Sequence, residues 1–297
     1  MTGALLDAAL AGGTRTIVVV GTAKNVGKTT VFNALRGLAF RRGIVGAITS
    51  IGRDGEAADA LDGAPKPRVR VEPGTLIALP RDLVPRSPAL QILDLGEPSA
   101  LGPMIFARVH FAAECEIGGP PTARGVRATI DRLRELTPEP TFVDGAIDRI
   151  APLAGGDGDA IVVATGAASG GSVAAIAELA RSTIARLSLP GRDPVRERGR
   201  VITITGALDA RDAQELFAQQ RSATVVVADP TRIAIRGKLF DALMAAFDLR
   251  CERPLRIVAC TTSSVGLGHA LDPRALVRAV AAATRLPTFD VIAGLGA

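Results

Sequence analysis

RTIVVVGTAKNVGKTTVFNALRGLAFRR, residues 15–42, decides how this chain is read. Residues 16–20 are β-branched without interruption, the mark of a buried strand. The run breaks at Gly21 and passes through Thr22, Ala23, Lys24, Asn25, Val26, Gly27, Lys28, Thr29 and Thr30. It then enters a helix whose apolar positions Val31, Phe32, Leu35, Leu38 and Ala39 make one stripe. A strand, a glycine-containing loop ending in Lys-Thr and a helix are the setting a phosphate-binding loop requires.

Each residue type has a physical reason. Backbone N–H groups of the loop and of the first helical turn point at phosphate oxygens, and the helix dipole adds about half a positive charge there. Gly27 has no side chain to block that approach. Lys28 reaches the β/γ phosphates, and the Thr29 hydroxyl is a ligand for Mg²⁺. One feature departs from G-x-x-x-x-G-K-[ST]: its first glycine would fall on Thr22, whereas the glycine here is Gly21. This spacing resembles the G-T-x-x-x-V-G-K-[ST] loop of dethiobiotin synthetase and of cobyric-acid-type ligases. These belong to the SIMIBI class of P-loop proteins, which includes the MinD/ParA ATPases. The signature lysine of the MinD type would fall on Ala23, so Lys24 is not given that role. The expected fold is accordingly an α/β P-loop NTPase, its mainly parallel sheet flanked by helices.

Composition supports the loop. Of 35 basic residues only Lys24, Lys28, Lys66 and Lys238 are lysines, and two of the four lie in this loop. An arginine-biased chain that keeps lysine here points to a compact ammonium group. The 297 residues can fill one large α/β domain or two smaller ones, and 47% hydrophobic with 22% charged residues argues against disorder. Net charge is +5, but the arginines are scattered singly, as a composition bias would leave them and not as a nucleic-acid footprint. With no Trp or Tyr there is also little for stacking on bases. Cys115, Cys251 and Cys260 show no C-x-x-C spacing, and His110 and His269 are the only histidines, so zinc is not expected. No apolar run approaches the roughly 18 residues of a membrane span. The first 13 residues carry Asp7 and no basic region, unlike a signal peptide. A cytoplasmic protein with buried thiols is expected.

Along the chain, residues 2–11 read as a short amphipathic helix and 44–49 as a second strand. That strand runs into SIGRDGE, residues 50–56. Asp54 and Glu56 are candidates for holding Mg²⁺ or positioning water, with Asp54 a candidate catalytic residue; an ordinary solvated Asp-Gly turn is the other reading. From about residue 63 to 120 short period-two stretches separated by Pro and Gly predict an antiparallel, strand-rich insertion. Residues 122–136 predict a helix, and 141–145 an apolar strand ending in Asp144, the form of a Walker B carboxylate that holds Mg²⁺ through water. Residues 1–190 are thus expected to be the nucleotide-binding core. A polar linker near 190–200 leads to a C-terminal α/β portion, 198–297, able to continue the same sheet. Alternating strands and helices imply a mainly parallel sheet covered on both faces.

Several stretches together resemble one family: SIGRDGE (50–56), KP followed by VEPGTLIALP (66–80), FVDGAIDR (142–149), IVVATGA (161–167) and LDPRAL…PTFDV (271–291). They are similar, in the same order, to the P-loop subunit of the lysine/ornithine aminomutase reactivase. The resemblance implies an ATP- and Mg²⁺-dependent ATPase that works with a second, MutS-like subunit. Its client would be an adenosylcobalamin- and pyridoxal-phosphate-dependent aminomutase, from which it releases damaged cobalamin. It also implies that Lys28 and Thr29 contact ATP and Mg²⁺ and that Asp144 is the Walker B acid. The loop spacing equally suits a small-molecule ligase of the dethiobiotin synthetase type.

Overall fold

The five apolar positions of the stripe, Val31, Phe32, Leu35, Leu38 and Ala39, are all buried in the helix they predict, α2 (Lys28–Arg41). The computed structural model describes residues 2–51, 68–86, 89–99, 101–145, 147, 150–156, 158–197, 199–219, 223–266 and 268–297. Asp54, Glu56 and Lys66 lie outside the described residues.

Helix α2 follows β1 (Thr16–Gly21) and packs with α1 (Thr2–Leu10) on one face of the sheet. Strand β1 is buried on both faces: Ile17 and Val19 join the core under α1 and α2, while Val18 and Val20 join the core opposite. That opposite core belongs to α3 (Ala123–Leu136), α4 (Val173–Leu187) and α7 (Pro273–Thr284). A strand covered by helices on both sides has no need to alternate polar and apolar residues, hence its uninterrupted apolar run.

The main sheet also contains β2 (Ala47–Ser50), β4 (Leu76–Pro80), β5 (Leu90–Ser99), β6 (Gly102–Val109), β8 (Thr141–Asp144), β9 (Asp159–Gly166), β13 (Ile257–Ser263), β14 (Thr288–Asp290) and β15 (Leu295–Gly296). Its order is β15-β14-β13-β9-β1-β8-β2-β4-β6-β5. From β14 to β4 every pairing is parallel, and β6, β5 and β15 add antiparallel edges. The short strands expected between 63 and 120 therefore split. β4, β6 and β5 extend the main sheet, and β3 (Val69–Val71) pairs antiparallel with β7 (Ala113–Cys115) as a separate ribbon.

After residue 190 the chain builds a second, three-stranded parallel sheet of β10 (Arg200–Ile204), β11 (Ala223–Val227) and β12 (Asp248–Cys251), with α5 (Ala210–Ala218) and α6 (Gly237–Ala246). It has a core of its own around Val225, Val227, Leu216, Phe240 and Leu243. It is β13, not β10, that returns to the main sheet beside β9. No helix among the described residues is long and apolar enough to cross a membrane.

At the end of the sheet opposite the loop, α3 is fixed by charge. Buried Asp159 accepts from Arg127 at 2.8 Å and from Arg134, and Arg134 also donates to the Thr16 hydroxyl at 2.7 Å. Burial pushes the Arg134 guanidinium below its ordinary pKa, against the pull of Asp159.

The three thiols are free and buried, and burial pushes each up to about 12. A thiol-specific reagent at pH 8 is expected to leave the native protein untouched and to modify all three on unfolding. The unfolded thiols ionise near the reference value of 9.0, while the folded ones hold their protons to about 12. Their contribution to stability is complete below pH 9 and is lost as pH rises from 9 toward 12. Fast modification of even one thiol in the native state would contradict their burial.

Candidate functional site

Strands β1 and β8 are direct parallel neighbours, with Val19 opposite Asp144. Gly21 and Asp144 therefore reach the same, carboxyl-terminal edge of the sheet, where open α/β folds place ligands. Loop residues 22–27 bridge from β1 to α2 along that edge. Two of them have positive φ, Asn25 at 60° and Gly27 at 83°. Gly27 is the N-cap of α2 and contributes no side-chain hydrogen bond, while its carbonyl accepts from Val31 N. The first-turn N–H groups have no partner within the helix, and a side-chain-less cap leaves them facing the loop.

The loop is held from inside and from both flanks. Val26 is buried, and a Cβ on Gly21 would meet its Cγ2 at 2.9 Å and the Ala23 carbonyl at 3.1 Å. A side chain at 21 would press against the loop where it folds back onto the end of β1, and glycine avoids this. Thr22 N donates to Ala164 O at 2.9 Å, prolonging the β1–β9 ladder. Gly27 lies against Ser263 at the end of β13, with 3.4 Å from Ser263 Cβ to the position a Gly27 Cβ would take. A Cβ at Gly166 would be 2.4 Å from the Ser263 carbonyl oxygen, so β9 and β13 close together beside the loop. Gly166→Ala is expected to destabilise the protein by about 2 kcal/mol or more, through forced separation of these strand ends. Thermal unfolding measures this, and an unchanged midpoint would refute the close approach.

Of the expected site residues, Lys28 and Asp144 meet here. Lys28, the first residue of α2, places Nζ 2.9 Å from Asp144 Oδ1. Asp144 is 3% exposed, and the Lys28 side chain retains 21% exposure. The Asp144 carbonyl accepts from Ile51 N at 2.8 Å and from the Ser50 hydroxyl at 3.1 Å, so β2 ends against the same carboxylate-bearing residue. Thr29 and Thr30 are half-buried in the first turn, and Ala23, Lys24 and Asn25 are exposed. Asp54 and Glu56 fall outside the described residues.

The hydroxyl of Thr29 and the carboxylate of Asp144 are hard oxygen donors, a set that suits Mg²⁺ and not a soft metal. No cluster of three or more His, Cys, Asp or Glu side chains that could hold a metal forms among the described residues. Two protein oxygens supplemented by phosphate and water is how Mg²⁺ is ordinarily held.

Thr165 has no role that could be read from its local sequence. It is wholly buried at the end of β9, and its Oγ1 accepts from Thr22 Oγ1 at 3.0 Å. Its register partner in β13 is Thr262, and Asp290 ends β14 one step beyond the Thr261–Phe289 pair. Thr262 Oγ1 and Asp290 Oδ2 are buried without hydrogen-bond partners among the described residues. A row of polar groups thus crosses the carboxyl edge on the α4/α7 face. No family model, curated protein or solved structure matches the chain.

Proposed function

We propose that this chain is a P-loop nucleoside triphosphatase using ATP and Mg²⁺. The observation that carries the reading is the ion pair between Lys28, opening the helix after a glycine-containing loop, and Asp144, ending the adjacent parallel strand. A buried carboxylate and an ammonium at a helix N-terminus beside exposed amides make a site charged for a polyphosphate tail. The loop amides and the first turn of α2 bind the β- and γ-phosphate oxygens, and Lys28 exchanges its carboxylate partner for them. Thr29 and, through water, Asp144 would hold Mg²⁺, which supplies charge neutralisation on the phosphoryl oxygens. Hydrolysis breaks the bond from the γ-phosphorus to the bridging oxygen and joins water oxygen to that phosphorus, leaving ADP and phosphate.

The resemblance of residues 50–56, 66–80, 142–149, 161–167 and 271–291 supports coupling of this hydrolysis to a client. The client is an adenosylcobalamin-dependent aminomutase, engaged together with a second, MutS-like subunit. Calorimetric titration with ATP and Mg²⁺ tests the site, because a chain without Trp or Tyr has no useful intrinsic fluorescence. Absence of heat with any nucleoside triphosphate would end the reading. Release of cyanocobalamin from a blocked aminomutase, dependent on ATP and both subunits, tests the coupling. Phosphate release that instead depends on a small carboxylate or amine, with no protein present, would identify a ligase.

A further inference from the structure

Thr22 stands where G-x-x-x-x-G-K-[ST] has its first glycine. A glycine there would leave the start of the loop held by its backbone alone. Threonine instead gives it a second anchor beside the backbone bond from Thr22 N to Ala164 O, namely Thr22 Oγ1 to Thr165 Oγ1 at 3.0 Å. The anchor is itself fixed. Thr165 has no exposed surface, its Oγ1 lies 3.4 Å from Ser169 Oγ, and Ser169 Oγ donates to Gly166 O at 2.7 Å. β-branching restricts Thr165 to few rotamers, so the accepting oxygen hardly moves.

We propose that Thr165 is a positioning residue that holds the nucleotide loop in its binding shape through the Thr22 hydroxyl. The inference rests on the nucleotide reading above and adds that this tether sets affinity for the phosphate tail. A loop whose amides already converge loses less conformational freedom on binding than one ordered by the ligand. Removing one neutral hydrogen bond of this kind corresponds to a loss of about threefold to tenfold in affinity. The loss belongs in Kd and KM and not in kcat, since neither hydroxyl touches the reacting atoms and the bound loop is held by its ligand.

The test is calorimetry with ATP and Mg²⁺, together with steady-state hydrolysis, on wild type, Thr165→Val, Thr165→Ser, Thr22→Val and the Thr22→Val/Thr165→Val double variant. Thr165→Val keeps shape and loses the hydroxyl. Its Kd and KM are expected to rise about threefold to tenfold while kcat stays within about twofold, and Thr165→Ser is expected to restore both. The double variant is expected to bind no worse than either single valine variant, because both remove the same bond. Equal affinity of wild type and folded Thr165→Val would overturn the proposal while leaving the nucleotide reading intact. Additive losses in the double variant would overturn it as well, by showing that the two hydroxyls act separately. Thr22 is half-buried and Thr22→Val leaves the core untouched, so it reads the same bond even if Thr165→Val fails to fold. A wild type that binds no nucleotide would remove both readings together.

Discussion

Lys28→Ala is expected to lower ATP hydrolysis by at least about 10²–10³-fold, the loss seen when one preorganised donor to developing charge is removed. Lys28 supplies a full ammonium charge at the helix N-terminus, beside the Asp144 carboxylate, while Lys24, the only other lysine of the loop, is exposed. The same substitution leaves Asp144 without the ammonium 2.9 Å from its Oδ1. Breaking a fully buried pair costs about 3–5 kcal/mol. Here Lys28 is one-fifth exposed and lies at the sheet edge, so water enters the space it vacates and the cost falls to about 1–3 kcal/mol. The variant should therefore remain folded, with a lowered unfolding midpoint and wild-type far-UV circular dichroism. Phosphate release at saturating ATP is the measurement. Undiminished turnover would show that this loop is not the catalytic site.

How much of this was legible in the sequence depended on how local the determinant is. The helix after the loop could be read because Val31, Phe32, Leu35, Leu38 and Ala39 repeat with helical period against a single core. Strand β8 and its terminal Asp144 were equally local, as an apolar run stopping at a carboxylate. What brings Asp144 to Lys28 is strand order: β8 enters beside β1, a fact that no window of sequence contains. The same limit left open which strand after residue 198 continues the main sheet, since alternating strands and helices do not say that it is β13. It also hid Thr165, because a threonine at the end of a buried strand carries no signal until its neighbour across the ladder is known. Gly21 was read as one residue early for G-x-x-x-x-G-K-[ST] and as fitting the G-T-x-x-x-V-G-K-[ST] spacing. Its place follows from the close approach of Val26 and the Ala23 carbonyl, contacts within the loop that spacing alone does not express.

Asp144→Asn separates the two roles assigned to this carboxylate, counter-ion to Lys28 and holder of Mg²⁺. The asparagine is isosteric and neutral, so it keeps the shape of the site and leaves the one-fifth-exposed ammonium to water at the sheet edge. Stability is expected to change by no more than about 1–2 kcal/mol, less than for Lys28→Ala, because an ammonium at a hydrated edge is easier to leave unpaired than a 3% exposed carboxylate. Two consequences for binding then have opposite signs. Without divalent metal, ATP no longer competes with a carboxylate for Lys28, so affinity in the presence of a chelator should equal or exceed that of wild type. With Mg²⁺, the gain that the metal gives wild type should largely vanish, and hydrolysis should fall by about 10²-fold or more. Calorimetric titration with and without chelator reads both effects on the bound state, independently of turnover. Retention of the full Mg²⁺ dependence of affinity by Asp144→Asn would remove this residue from the metal site and leave it as a counter-ion alone. The Lys28→Ala/Asp144→Asn double variant completes the cycle: it should be more stable than Lys28→Ala, since deleting both charges removes the uncompensated one, yet remain inactive. Stability recovered without activity is the signature of a pair whose charges oppose each other in the free protein and act on the same ligand when it is bound.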